Sequence, residues 1–157
     1  MTGRRAVLRA IGLLGGMAAV PRAAGAREYT SAAEVLDTID GLATGVDASL
    51  AAIVRAVPGA APFAGSVRAD QVRERAGRDA IRVRLRLPST ARPAAPVSTA
   101  LDALRSMQQD LVHAHAEGLP ALDDQAAVRV LARHMVEAAR RLTVIDLWIE
   151  LEAERVG

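Results

Sequence analysis

The sequence predicts an all-α protein, a single antiparallel four-helix bundle that follows a cleavable N-terminal signal helix. Apolar residues recur at intervals of three and four in long stretches separated by proline and glycine, which is the helical period. The only aromatic residues are Tyr29, Phe63 and Trp148, so small aliphatic side chains must fill the core, which favours close-packed helices. The length of residues 27–157 suits one domain.

The first 26 residues have the features of a twin-arginine export signal. Arg4 and Arg5 precede a variable residue, two apolar residues and Arg9. The apolar stretch between Arg9 and Arg22 has 12 residues, whereas a membrane-spanning helix needs roughly 20. Small residues at the end of the segment predict cleavage after Ala26. We therefore expect a protein exported to the periplasm, the cell envelope or the medium, with no stable membrane span after cleavage.

The charge of the mature chain argues against a nucleic-acid partner. Four of the 20 basic residues, all of them arginines, lie in the signal, which has no acidic residue. The mature chain therefore has 16 arginines and 18 acidic residues, a formal net charge of −2, so it lacks an excess of positive charge for binding nucleic acid. It also has no cysteine, which excludes disulfides, thiolate zinc sites and iron–sulfur clusters.

The first helix is predicted over residues 31–57. Ser31 and Glu34 have the spacing of a capping box, in which the serine side chain accepts a hydrogen bond from the third helical amide. Pro58 and Gly59 end the helix. Its apolar stripe consists of Leu36, Ile39, Ala43, Val46, Leu50, Ile53 and Val57. This stripe predicts one buried face along the whole helix.

The second helix is predicted over residues 66–87, with a conflict near its end. Residues 81–87 alternate apolar side chains with arginines, a pattern that by itself indicates a half-buried strand. Because no other segment offers a partner strand, the helix is favoured and the strand remains the alternative. The predicted buried face consists of Ala69, Val72, Ala76, Ala80, Val83 and Leu87. The seven arginines of this segment are expected on solvated flanks, and the prolines of residues 88–96 predict a linker.

The third helix is predicted over residues 99–117. Thr99 and Asp102 have capping spacing, and Gly118 suits a left-handed position after the last turn. One face contains Leu101, Leu104, Gln108, Leu111, Val112 and His115. This face combines an apolar stripe with two polar side chains.

The fourth helix is predicted over residues 123–155, beginning at two acidic residues that complement a helix N-terminus. Its apolar stripe consists of Val128, Leu131, Met135, Ala138, Leu142, Ile145 and Ile149. Short connections around residues 58–65 and 119–122 imply that the helices they join are antiparallel neighbours.

Polar residues on these helices are candidate metal ligands. Gln108 and His115 interrupt the apolar face of the third helix. His134 and Glu137 are three residues apart, so they project from adjacent turns, and helical bundles use such a carboxylate and imidazole pair to hold iron or manganese. Glu74 is the ligand that the second helix offers. The alternatives are a solvated surface pair at His134 and a protonated His115 stabilised by the helix dipole.

Residues 101–148 resemble the second half of exported ferritin-like domains related to rubrerythrin. They comprise a helix that ends in Gly-Leu-Pro, a short acidic turn and a long helix with a paired ligand motif. That family has Glu-x-x-His, whereas His134 and Glu137 are the same residue types in reverse order. Gln108 or Gln109 stands where the family has a glutamate. The resemblance implies a ferritin-like four-helix bundle whose metal ligands are degenerate.

Two functions remain open from the sequence. The first is a non-catalytic ferritin-like bundle without a cofactor, which acts by binding a protein partner or by self-association. The alternative is a ferritin-like protein with oxidase or metal-handling activity, which holds iron or manganese through His134, Glu137, His115 and Glu74. Because the second and third helices lack the carboxylates of a di-metal centre, at most one weakly held ion is expected. No nucleophile–base motif or phosphate loop is present, and whether the protein is an enzyme stays undecided.

Overall fold

The computed structural model describes residues 27–88 and 96–156, and these residues form four α-helices and no strand. The helices are α1 (Ala32–Ala56), α2 (Ala61–Leu85), α3 (Leu101–Gly118) and α4 (Gln125–Val156), with 3₁₀ turns at Pro58–Ala60 and Leu119–Ala121. The prediction of an all-α four-helix protein is confirmed. The predicted signal, including Arg4, Arg5 and the cleavage position after Ala26, lies outside the described residues, as does most of the linker. Within the described residues, no helix combines the length and the apolar character needed to cross a membrane.

Helix α1 begins at the predicted cap. The Ser31 hydroxyl accepts a hydrogen bond from the Glu34 backbone N–H at 3.2 Å. The Glu34 carboxylate does not complete the capping box, because it accepts from the N–H and the hydroxyl of Thr30 at 3.0 and 2.9 Å. These hydrogen bonds lower the pKa of Glu34. The apolar stripe is buried from Leu36 to Ile53, whereas Val57 is exposed.

Helix α2 includes residues 81–85, so the helical prediction for most of the alternating segment is confirmed and the strand alternative is wrong. The helix also starts earlier than predicted, at Ala61, with a proline in its first turn. Arg86 ends it in the left-handed conformation, with φ of 55°. The Leu87 N–H then donates to the Arg82 carbonyl at 2.9 Å, which satisfies one of the last helical carbonyls.

The predicted buried face of α2 is wrong for five of its six residues, whereas Leu87, which follows the helix, packs against the core. Val72 and Val83 retain 64% and 80% of their accessible surface. Exposure extends to the alanines of the same stripe, Ala69, Ala76 and Ala80. The helix instead buries a mixed face of Ala64, Val67, Gln71, Glu74, Arg78, Ile81 and Arg82. Charged side chains therefore point into the bundle, because partners on α1 and α4 pair with them there.

The α3 and α4 caps differ in how well they match their predictions. Thr99 is not the cap of α3, because the helix starts after Ala100, whose side chain cannot cap it. The acidic start of α4 is confirmed, since the Asp124 carboxylate accepts a hydrogen bond from the Ala127 N–H at 2.8 Å. The hydrogen bond from this backbone N–H lowers the pKa of Asp124, and the hydrogen bond from Arg84 lowers it further.

Two apolar clusters fill the interior, with polar side chains between them. One cluster combines the N-terminal half of α1 with the C-terminal half of α3 and includes Leu36, Leu111 and Leu131. The other includes Leu50 and Ile145, and Phe63 and Trp148 pack at its edge with ring centroids 5.3 Å apart. Along α2, the buried residues between Val67 of one cluster and Ile81 of the other are all polar: Gln71, Glu74 and Arg78.

Gly118 allows α3 to pass close to α1. The left-handed conformation predicted for it is wrong, since its φ is −78°. A Cβ atom built on Gly118 would overlap Cγ1 of Val35 and would lie 3.1 Å from Cγ2 of the same side chain. Val35 is fully buried, so the valine has no free space to move into. A side chain at position 118 is therefore excluded by packing, not by backbone conformation.

Gly118→Ala is expected to lower the free energy of unfolding by about 1–3 kcal/mol, the usual cost of overpacking a core. Chemical denaturation measures this loss. Val35→Ala in the Gly118→Ala background should recover part of it, because it removes the two methyl groups that overlap. Gly65→Ala is the matched control, since a Cβ there meets nothing within 4 Å. Equal losses for Gly65→Ala and Gly118→Ala would contradict the steric explanation.

Candidate functional site

A layer of buried polar side chains crosses the centre of the bundle. Each of these side chains belongs to a residue that is at most 7% exposed. We call the following eight residues the polar layer: Gln71, Glu74, Arg78 and Arg82 on α2, Gln108 and His115 on α3, and His134 and Arg141 on α4. Burying such groups costs free energy unless they are paired. The polar layer is thus the part of the core whose chemistry goes beyond apolar packing.

Glu74 and Arg141 form a bidentate ion pair between α2 and α4. Arg141 donates from Nη1 to Oε1 at 2.6 Å and from Nη2 to Oε2 at 2.9 Å. Both side chains are 5% exposed. Two parallel charge-assisted hydrogen bonds are a strong and directional arrangement. The carboxylate predicted as the metal ligand of α2 is therefore already neutralised by a guanidinium.

Arg78 and Arg82 join α2 to α1 through two aspartates. Arg78 Nε donates to Asp40 at 2.7 Å, and Arg82 Nη2 donates to Asp37 at 2.6 Å and to Asp40 at 3.0 Å. Burial lowers the pKa of Arg82, but the hydrogen bonds to Asp37 and Asp40 outweigh it, so the pKa is raised. The prediction that these two arginines are solvated is wrong.

His115 and His134 face each other inside the bundle. Their ring centroids are 6.3 Å apart and the rings are nearly perpendicular, at 84°. His115 Nδ1 lies 2.7 Å from the Leu111 carbonyl oxygen, and because a carbonyl accepts, Nδ1 carries the hydrogen. Nε2 of His115 and Nδ1 of His134 have no hydrogen-bond partner among the described residues. Each ring therefore has a buried nitrogen that is not satisfied by the protein.

Both histidines are neutral at neutral pH. Burial lowers the pKa of His115 to about 3 and that of His134 to about 4. The positive charges of Arg78 and Arg141 contribute to both of these lowered pKa values. A protonated His115 stabilised by the helix dipole is therefore wrong, because the fully buried ring loses more from dehydration than it gains from the dipole.

The structure brings together only two of the four predicted ligands. Glu137 lies at the surface, where it accepts a hydrogen bond from Arg140 at 2.9 Å, whereas His134 is buried. The interpretation of these two residues as one solvated pair is thus wrong for His134. Glu74 is held by Arg141. In residues 27–88 and 96–156, no group of three or more His, Cys, Asp or Glu side chains is placed to hold a metal ion.

Gln108 joins α3 to α4 at the level of the polar layer. Its Nε2 donates to the Ala138 carbonyl at 2.9 Å, and the residue is completely buried. The resemblance to ferritin-like domains placed a glutamate of α3 at this position or the next. The neutral amide makes one hydrogen bond between the two helices and contributes no charge, and its Oε1 has no hydrogen-bond partner among the described residues.

The ion pairs of the polar layer were missed by sequence reasoning, although a signal for them exists. Asp37 and Asp40 flank the apolar stripe of α1 at a spacing of three, and Arg78 and Arg82 have a spacing of four on α2. Arg141 follows Ala138 at the spacing of the α4 stripe. These spacings place the charges of each helix on one face, but only the packing of the helices shows which faces meet.

Comparison with known proteins gave no match. No protein-family model matches the chain, and no curated protein sequence and no solved structure has significant similarity to it. A functional interpretation therefore depends on the geometry of the chain itself.

Proposed function

We propose that this protein is an exported, non-catalytic, ferritin-like helical bundle that acts by protein association, and that its partner is a second copy of the chain. The observation that carries the proposal is the exposed stripe on α2, which consists of Ala69, Val72, Ala76, Ala80 and Val83. Exposed apolar stripes on soluble proteins commonly mark interaction surfaces. We call these five residues the α2 stripe. Export is inferred from the twin-arginine signal.

The direction of the helices supports a ferritin-like connectivity. Helices α1 and α2 are joined by the pairs Asp40–Arg78 and Asp47–Arg68. The segments that contain α1 and α3 are joined by Ser49–Ser98 and Arg27–Glu117. Helices α3 and α4 are joined by Arg105–Asp146 and Gln108–Ala138. In each of the three contacts, the residue number rises along one segment as it falls along the other, which favours antiparallel neighbours. Helices α2 and α3 then run in the same direction, as the two helices joined by the long connection of a ferritin-like fold do.

The polar layer supports a non-catalytic role. A ferritin-type di-metal centre needs several carboxylates that are free to bind cations. Here Glu74 and Asp40 are engaged by arginines, and three guanidiniums lie in the same region. Buried positive charge opposes the entry of a cation. The polar layer thus replaces metal chemistry with ion pairs that hold α1, α2 and α4 together.

The charges around the α2 stripe favour a second copy of the chain as its occupant. Four arginines beside the stripe are each paired with an acid of the same chain: Arg68 with Asp47, Arg73 with Asp70, Arg75 with Asp79 and Arg84 with Asp124. Two α2 helices can therefore approach without a large like-charge repulsion. The alanines permit a close contact, and the two valines provide the apolar area. A contact of the same surface on both copies closes as a two-fold dimer.

Val72→Glu combined with Val83→Glu is expected to abolish dimerisation, because it places two carboxylates in an apolar contact. Sedimentation velocity over a concentration series measures the change, and the parent protein should show a concentration-dependent dimer. Val57→Glu combined with Val97→Glu is the matched control, since these valines are exposed but lie off α2. A parent that stays monomeric throughout, or a control that loses the dimer equally, would contradict the proposal.

The histidine pair favours metal binding as the second candidate function. Both rings are neutral, and each has a buried nitrogen without a partner among the described residues. Neutral imidazole is a ligand for iron, copper and zinc. Metal analysis of protein recovered through its own export route tests this candidate. A stoichiometric metal ion that is lost in a variant with both His115→Gln and His134→Gln would overturn the non-catalytic proposal, and the absence of metal from the parent would dismiss the candidate.

A further inference from the structure

The C-terminal half of α4 exposes an apolar stripe. Val144, Leu147 and Leu151 retain 45%, 53% and 59% of their accessible surface. Because they are spaced by three and four residues, they lie on successive turns of one side of the helix, within roughly a quarter-turn of each other. We call these three residues the α4 stripe. Single exposed apolar residues are ordinary, whereas neighbouring ones form a patch that commonly marks an interaction surface.

The charges beside the α4 stripe differ in sign between its two ends. Arg129, Arg133 and Arg140 are exposed on its N-terminal side, and Glu154 is exposed on its C-terminal side. All of these positions fall on the same side of the helix as the stripe. Arg140 donates from Nη1 to Glu137 at 2.9 Å, which leaves other N–H groups of its guanidinium for a second carboxylate. This face therefore passes from basic through apolar to acidic along the helix.

A face of this kind is complementary to itself when two copies meet in antiparallel orientation. Arg140 and Glu154 each lie seven residues from Leu147, which is about 10 Å along the helix axis. Two α4 helices that cross at Leu147 therefore bring Arg140 of each copy beside Glu154 of the other. The same crossing places Leu151 beside Val144. A parallel contact would instead put like charges opposite each other, which is unfavourable.

We propose that the α4 stripe binds the α4 stripe of a second copy of the chain in antiparallel orientation, with an Arg140–Glu154 ion pair at each end. The same surface on both copies closes as a two-fold contact. A second copy matches both ends of the face, whereas a uniformly basic or acidic partner would match only one. The contact lies on a different helix from the α2 stripe and does not depend on it. It has three apolar side chains per copy against five in the α2 stripe, so it buries less area and forms at higher protein concentration.

The test exchanges the two charges in a variant that lacks the α2 dimer. Protein with Val72→Glu and Val83→Glu, at low salt and at concentrations above those at which the α2 dimer forms, should show a concentration-dependent dimer in sedimentation velocity. Adding either Arg140→Glu or Glu154→Arg should weaken this dimer by about tenfold or more, because like charges then meet at both ends. An equimolar mixture of the two charge variants should recover the dimer, because every changed charge then faces an opposite charge.

Arg129→Glu is the matched control, since it makes the same charge change on the same exposed face. It lies about 16 Å along the axis from Arg140 and outside the overlap, so it should leave the dimer unchanged. The changed side chains are exposed, so the variants are expected to fold, and a denaturation midpoint for each checks this. The proposal is overturned if the protein with Val72→Glu and Val83→Glu forms no dimer, if the mixture stays monomeric, or if Arg129→Glu weakens the dimer equally. The α2 stripe is tested separately, because it predicts a dimer of the parent at lower concentration.

Discussion

Replacing Glu74 by alanine is expected to lower the free energy of unfolding by about 3–5 kcal/mol, the typical cost of breaking a buried ion pair by removing one partner. The change removes both hydrogen bonds that Glu74 accepts from the buried Arg141 guanidinium and leaves it only the longer ion pair with Asp70, at 3.8 Å. Urea denaturation of parent and variant measures the loss. A loss of this size exceeds what most single substitutions cause.

A double variant distinguishes the loss of the ion pair itself from the cost of leaving Arg141 buried without its partner. Glu74→Met with Arg141→Met removes both charges and keeps the side-chain volumes similar, so it should recover most of the loss, as replacing buried pairs with apolar residues often does. The exposed pair is the control: Glu137→Ala removes the partner of Arg140 and should change stability by less than about 1 kcal/mol. If Glu74→Ala costs no more than Glu137→Ala, the ion pair does not stabilise the bundle as described.

Acidification from pH 6.5 to pH 4 is expected to destabilise the fold through the histidine pair. The pKa of His115 is about 3 and that of His134 about 4, both below the ordinary 6.5. Between about pH 4 and pH 6.5, the histidines of the unfolded chain bind protons that those of the folded chain do not. The stability is therefore complete above pH 6.5 and falls as the pH falls. Each histidine lowers the free energy of unfolding by about 1.4 kcal/mol per pH unit, which amounts to about 3 kcal/mol per histidine by pH 4.

Denaturation curves at several pH values measure this slope. His134→Gln removes one titrating group and should make the slope shallower by about half of the histidine contribution. Leu131→Ala is the control, because it removes a fully buried side chain of the same helix without changing titration. Its curve should lie below that of the parent by a constant amount. A His134→Gln variant with the parent's full slope would exclude the pair as the cause.

The inverted orientation of α2 links the core to the proposed interaction surface. With Glu74, Arg78 and Arg82 turned inward to their partners, the opposite face of the helix has to turn outward. That face contains Val72 and Val83, which an ordinary amphipathic helix would bury. The ion pairs therefore expose the apolar surface on which the proposed association depends. A variant that weakens the ion pairs should therefore change the dimerisation affinity, because it changes which face of α2 is exposed.

The sequence alone located the four helices, although it did not predict the start of α2 at Ala61 or the cap of α3. Ser31 caps α1, prolines and glycines separate the helices, and acids mark the start of α4, and all of these signals act within a few residues. The same holds for the apolar faces of α1, α3 and α4, whose buried residues include Leu36, Leu111 and Leu131. A regular apolar stripe can be buried against any apolar neighbour, so its prediction needs no knowledge of the partner.

Only the tertiary structure decided which face of α2 is buried and how the candidate ligands are used. Glu74 meets Arg141 from 67 residues away, and Arg78 meets Asp40 from 38 residues away. Whether a charge can be buried depends on such a distant partner, because dehydration is unfavourable unless an opposite charge is placed at hydrogen-bond distance. Local periodicity contains no information about that placement, which is why it assigned the wrong face to α2.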